Sequence, residues 1–342
     1  MTPGDRTPNE TMSGMILVKR VSVLPMLLTL VFSLNAESTF SGPVAGYVFD
    51  GRQRSIRPVL GGLGAAYLGP ALATQWVYAS VAPNGKMALG IGRGTVDLIS
   101  DLAKSDRFST LGDAIRMPDR IVWSRDSTTA VLSAPTSSLL QRVTGLGGSP
   151  MVHSLIDLSQ FAGNAVSGWS VSPDGHTIAL TTGAAGTAAV YLIVDDSIPT
   201  ASIANLGDPG PSVFSSDGSS LFVLDRAAKK IVRLQIPTGG VEGSFDASSL
   251  PTISDMQASA DGALLYIASS NSLTALDLST WQPVWSQPLD MTPTSLTAFS
   301  VAPPVFLLDY DRSDASPVWL LDGQAARLYF VPAANAGGDA SR

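Results

Sequence analysis

From residue 40 onward, the apolar residues fall in short β-branched and aromatic runs such as Thr177-Ile178-Ala179-Leu180, Leu221-Phe222-Val223-Leu224 and Leu264-Leu265-Tyr266-Ile267. Runs of this length, bounded by turn residues, predict strands rather than helices. Each follows a small polar turn: Ala82-Pro83-Asn84-Gly85, Ser124-Arg125-Asp126-Ser127, Ser172-Pro173-Asp174-Gly175, Ser215-Ser216-Asp217-Gly218 and Ser259-Ala260-Asp261-Gly262, with a degenerate sixth at Ser300-Val301-Ala302-Pro303. An Asp or Asn at the third position accepts hydrogen bonds from nearby backbone N–H groups, and the following Gly adopts the positive φ of a tight hairpin. These recurring carboxylates are therefore expected to shape the chain and not to catalyse.

The third turn positions, 84, 126, 174, 217, 261 and 302, are spaced by 42, 48, 43, 44 and 41 residues. That is the length of a four-stranded propeller blade. A second, outer hairpin closes each unit, as in Val190-Tyr191-Leu192-Ile193-Val194-Asp195, Ile231-Val232-Arg233-Leu234 and Ser272-Leu273-Thr274-Ala275-Leu276-Asp277. The last unit has Val318-Trp319-Leu320-Leu321-Asp322-Gly323 followed by Leu328-Tyr329-Phe330-Val331. A lone hairpin, Tyr47-Val48-Phe49-Asp50-Gly51 with Ile56-Arg57-Pro58-Val59-Leu60, precedes the first unit. The pattern predicts an all-β chain, a β-propeller of six to seven four-stranded blades. Seven sectors with one incomplete accommodate the hairpin; it could instead lie beside the final blade as a latch that hides an edge.

In these turns and spacings, residues 45–332 resemble bacterial propellers with Ser-Pro-Asp-Gly turns, of the YVTN, TolB-like and WD40-like kind. The Gly-His and Trp-Asp signatures of true WD40 repeats are missing. The resemblance implies a fold shared by many functions and not an activity.

Charge narrows the partners. The chain has 21 Lys+Arg against 28 Asp+Glu, a net charge of −7, and no block of like charges; the Lys229-Lys230 pair is its nearest approach to one. Binding to nucleic acid needs clustered cations and is not expected. The absence of cysteine removes disulfides, thiolate metal sites and a lipid-anchored cysteine. Lys19-Arg20 followed by an apolar run at 21–34 and then Asn35-Ala36-Glu37-Ser38 has the layout of a secretory signal. Residues 1–14 carry Asp5 and Glu10, unlike a signal n-region, which leaves Met15 as an alternative start. The expected organisation is an N-terminal extension and signal peptide over 1–38, a single propeller domain over 39–332 and a flexible tail over 333–342. The chain is expected to be exported, to the periplasm or the cell exterior. An uncleaved segment at 21–34 anchoring it in a membrane is the alternative.

Chemistry is sparse. The only histidines are His153, in an outer strand, and His176, after a turn; the only glutamates are Glu10, Glu37 and Glu242. Propeller lactonases, which the repeats also resemble, use Glu, His, Arg or a metal cage, and no such motif matches here. A three-histidine centre cannot form, and no cofactor is expected. Asp309, Asp311 and Asp314, within Asp309-Tyr310-Asp311-Arg312-Ser313-Asp314, could hold Ca²⁺ in a blade loop. Alternation along an exposed loop with Arg312 as partner is the simpler reading. Gly90-Ile91-Gly92-Arg93-Gly94 is expected to be a strand-to-strand loop, since no helix follows it. Trp76, Trp123 and Trp169 fall at or near innermost strands and Trp281, Trp285 and Trp319 in outer ones, which suits packing between blades. Propeller topology gathers the connections between second and third strands, and those between blades, on one face. The ligand-face candidates there are Arg93, Arg120, Asp225, Arg226, Asp255, Asn271, Asp311 and Arg312. Their mixed charge suits a protein or small polar ligand, bound by a monomer without a catalytic site. A lactonase- or lyase-like enzyme and a structural cell-surface component are the alternatives. N-terminal sequencing and intact mass of protein from fractionated native cells are expected to give a mature start near Glu37 or Thr39 in a soluble exported fraction. An intact N-terminus in membranes would overturn that expectation.

Overall fold

The computed structural model describes residues 43–104, 108–134, 138–161, 165–183, 188–300, 304–309 and 318–332. They form seven antiparallel four-stranded sheets arranged as the blades of a ring, a seven-bladed β-propeller, and no α-helix occurs among them. Blade 1 spans residues 44–74, blade 2 78–110, blade 3 120–157, blade 4 165–205, blade 5 209–246, blade 6 253–288 and blade 7 295–331.

Burial explains the strand order. The second strands of blades 2, 3 and 5, Ala88–Gly92, Ala130–Ala134 and Ser220–Asp225, are buried at every position, because both faces of each sheet are covered by neighbouring blades. The fourth strands Val241–Asp246 and Gln282–Pro288 are mostly exposed. Apolar clusters span the blade interfaces; one joins Leu89, Ile91 and Val96 of blade 2 to Ile121, Leu132 and Val143 of blade 3. Each such fully buried aliphatic side chain stabilises the fold by about 1.5–3 kcal/mol before entropy is subtracted.

The turns between first and second strands follow one scheme. Ser124, Ser172, Ser215 and Ser259 each donate an Oγ–H to Oδ1 of the Asp two residues on, at 2.6 Å. The same Oγ accepts the N–H of the residue five positions on, at 2.9–3.0 Å. Each carboxylate also accepts the N–H two residues beyond itself. These donors hold Asp217 down at about 2, with the Ser215 hydroxyl the largest cause. Ser127 takes the glycine place with φ 64°. At Gly175, a Cβ would come within 2.3 Å of Thr129 on blade 3, so the turn's glycine also sets how closely adjacent blades approach.

The N-terminal hairpin is the incomplete sector. Val44–Asp50 and Ser55–Leu60 form its first two strands, and Tyr67–Leu68 and Ala73–Thr74 pair with opposite ends of the second. The third position is thus split, and no described residue fills the fourth. Hairpin and final blade also meet. Leu68 N–H donates to Pro332 O at 3.0 Å, and Val48, Val59 and Leu68 pack with Phe299, Val305 and Val331 in one cluster. The hairpin is therefore a blade in its own right, and its contact with blade 7 closes the ring. A Cβ on Gly46 would sit within the Phe299 ring, 2.4 Å from Cζ. Gly46→Val is expected to lower stability by roughly 1–3 kcal/mol, read as an earlier urea midpoint with an unchanged slope. A wild-type midpoint would mean that this seam does not limit the fold.

Candidate functional site

Each blade's first strand runs from the face of the inter-blade connections toward the Ser–Asp turns. Residues early in first strands therefore gather at one mouth of the axial channel, together with the turns between second and third strands.

Two predicted residues influence one another electrostatically. Arg120 opens the first strand of blade 3 (Arg120–Trp123) and is exposed; Asp255 is the third residue of the first strand of blade 6 (Ile253–Ala258). Asp255 Oδ2 accepts the N–H of Leu296 on blade 7 at 2.8 Å, and its Oδ1 accepts its neighbour Met256 N–H at 2.8 Å. Burial pushes its carboxyl above the ordinary value of 3.8, while the Arg120 charge and the two N–H donors pull the other way. The Arg120 guanidinium lies 5.0 Å from the centre of the Trp169 ring on blade 4, a cation–π arrangement. Both line a cleft of about 780 Å³ between blades 3 and 4, with Asp119, Ser133, Ser159 and Ser167 on its walls.

The other predicted residues that are described occupy the same face. Arg93 is exposed in the turn of blade 2 and donates to Gln75 Oε1 at 2.9 Å; the Gly90–Gly94 stretch is indeed a strand end and turn. Asn271 is exposed in the turn of blade 6, its carbonyl accepting Leu289 N–H. Arg226 lies 3.6 Å from Asp208. Asp225 is committed elsewhere: its carboxylate accepts the N–H groups of Gly207, Asp208, Ala227 and Ala228. Burial opposes its ionisation, but the four donors outweigh it and its pKa is lowered. It ties the entry of blade 5 to its turn and is not a free ligand group. Asp309 ends the second strand of blade 7, its carbonyl accepting from Thr294. Asp311, Arg312 and Asp314, and with them most of the Ca²⁺ loop, lie outside the described residues. Among the described residues no group of three or more His, Asp or Glu is placed to hold a metal.

Both histidines pair with one aspartate turn of blade 4. His153 Nδ1 lies 2.8 Å from Asp196 Oδ2 and His176 Nδ1 2.9 Å from Asp195 Oδ1. Between them the buried Arg142 of blade 3 reaches both carboxylates, at 3.2 and 2.9 Å. The Asp195 hydrogen bond raises the His176 pKa.

The sequence reading missed Trp169's second role. Its burial, 8% exposed, agrees with packing, yet the same ring carries the Arg120 guanidinium. The platform depends on residues in neighbouring blades, and no local spacing signals it.

No family model and no curated protein matches the sequence. Solved structures do resemble it. A chain of the mitotic checkpoint complex superposes with a TM-score of 0.58 at 14% identity, over 81% of this chain and 83% of that one. A candidate 6-phosphogluconolactonase from Bacteroides uniformis superposes with a TM-score of 0.54 at 16% identity, over 83% and 93%. At such identities the likeness defines the class, a seven-bladed β-propeller, and nothing finer.

Because the folded Asp255 holds its proton more tightly than the unfolded chain does, its contribution favours the fold at low pH and is lost as pH rises through the raised value. Carboxyl NMR titration is expected to place Asp255 above 3.8, and Arg120→Gln to move it higher still. An unchanged value in that variant would show that the two groups do not interact.

Proposed function

We propose that this chain is an exported binding propeller that takes a polar partner, a protein segment or a small polar ligand, at the mouth lined by Arg120, Asp255 and Trp169. The observation that carries this reading is the Arg120 guanidinium, stacked on Trp169 and within the field of Asp255, at the rim of the 780 Å³ cleft. A cation over an aromatic face beside an acid offers both signs of charge and a flat apolar surface, the combination that dominates binding hot spots. The fold likeness to a subunit of a protein assembly is compatible with the scaffold role, and the signal-like residues 19–38 support export.

Partners captured from the exported fraction and identified by mass spectrometry give the probe. Arg120→Ala is expected to weaken such a partner about tenfold or more, and Trp169→Phe, which keeps the packing, severalfold. Equal affinity in both variants would remove the mouth from the interface. Lactone hydrolysis, measured with 6-phosphogluconolactone with and without divalent metal, discriminates the enzyme reading. Turnover that survives Arg120→Ala would count against the scaffold.

A further inference from the structure

The other end of the ring axis is built differently. Its first-to-second-strand turns converge on a cavity of about 110 Å³ whose walls include Pro83, Val171, Pro173, Val213, Phe214 and Pro304, drawn from blades 2, 4, 5 and 7. Arg125, from the Ser124-Arg125-Asp126-Ser127 turn of blade 3, extends across this space. Its Nη2 donates to the Ala258 carbonyl of blade 6, near the far side of the ring, at 3.0 Å. Among the described residues that is its one hydrogen bond, and it makes no ion pair with them. A guanidinium has five N–H donors, so four remain without a partner among the described residues, and Arg125 lines the cavity.

The surroundings favour an anion. The guanidinium is half-buried and so partly desolvated, beside Ser215 and Gln257 as well as the apolar walls. Burial lowers the Arg125 pKa, and the field of Asp261 opposes that only from a distance. The neighbouring aspartates Asp126, Asp174, Asp217 and Asp261 are each engaged by the serine donors of their own turns, and among the described residues none forms an ion pair with Arg125.

We propose that this cavity binds a small carboxylate on a short apolar stem, its two oxygens held by the Arg125 guanidinium and its carbons against the proline and valine walls. A planar fork matches a carboxylate in two parallel hydrogen bonds. The volume has room for a few water-sized groups of about 30 Å³ each, which limits the stem to a few carbons. The site lies at the opposite mouth from Arg120 and stands independently of the partner proposed there.

The test is calorimetric titration of the full chain with acetate, propionate and butyrate at constant ionic strength set by chloride. Propionate or butyrate is expected to bind saturably at one site, with acetate weaker for lack of stem contacts. Arg125→Lys keeps the charge but not the fork and is expected to weaken binding about tenfold. Arg125→Met is expected to abolish it, with folding checked by circular dichroism; if that variant does not fold, the lysine variant decides. Arg120→Gln is expected to bind the acids as wild type does. Saturable binding that Arg125→Lys leaves unchanged would overturn the proposal. So would folded wild-type protein that binds none of the three acids, or that binds only acidic peptides.

Discussion

A propeller blade has two apolar faces and cannot cover either alone. Every sheet of this chain is stable only because another lies on each side of it, and that requirement forces the ring to close. The fully buried second strands are its signature: they have no solvent face, so their sequences read as mostly apolar runs, with a few buried polar residues such as Ser133 and Ser220, and not as alternation. Everything else in the molecule, including the placement of charged residues at the two mouths, follows from where closure leaves the strand ends.

Closure here is noncovalent and local. No cysteine is present, and among the described residues each blade is built from consecutive strands, so none of these is donated from one end of the chain to complete the other. The join is made by packing of Val48 and Val59 against Phe299 and Val331, by the close approach of Gly46 to the Phe299 ring and by the Leu68–Pro332 hydrogen bond. The split third position of blade 1 lies at its periphery and leaves the inner strands, which carry the contacts of the ring, complete.

Much of this was legible in the sequence for a physical reason. Turn chemistry is local, so Asp126, Asp174, Asp217 and Asp261 marked the repeats through contacts with their immediate neighbours. Their serine partners act within the same six residues, and their role becomes plain once the hydroxyl is seen bridging carboxylate and backbone. The status of the hairpin at residues 44–60 was not legible, since whether it is a blade or a latch depends on contacts about 250 residues away in sequence, with Phe299 and Val305. The mouths were half legible. Topology placed Arg120 and Asp255 on one face, but their mutual field and the Trp169 platform arise from the curvature of the ring. Asp225 shows the opposite error: its position suggested a ligand group, and four backbone donors claim it.

The seam has one more consequence. Gly61 N–H donates to Pro43 O, Leu60 pairs with Tyr67, and Leu68 N–H donates to Pro332 O, so both ends of the described chain come to the Leu60 end of blade 1, on either side of its second strand. With no strand shared between the ends among the described residues, any connection between blades is topologically equivalent to the ends of the described propeller. A circularly permuted chain, opened between two other blades and joined through a short linker across Pro332 and Pro43, would face the same packing problem and have the same solution available. The order of the blades along the gene is thus separable from their order around the ring.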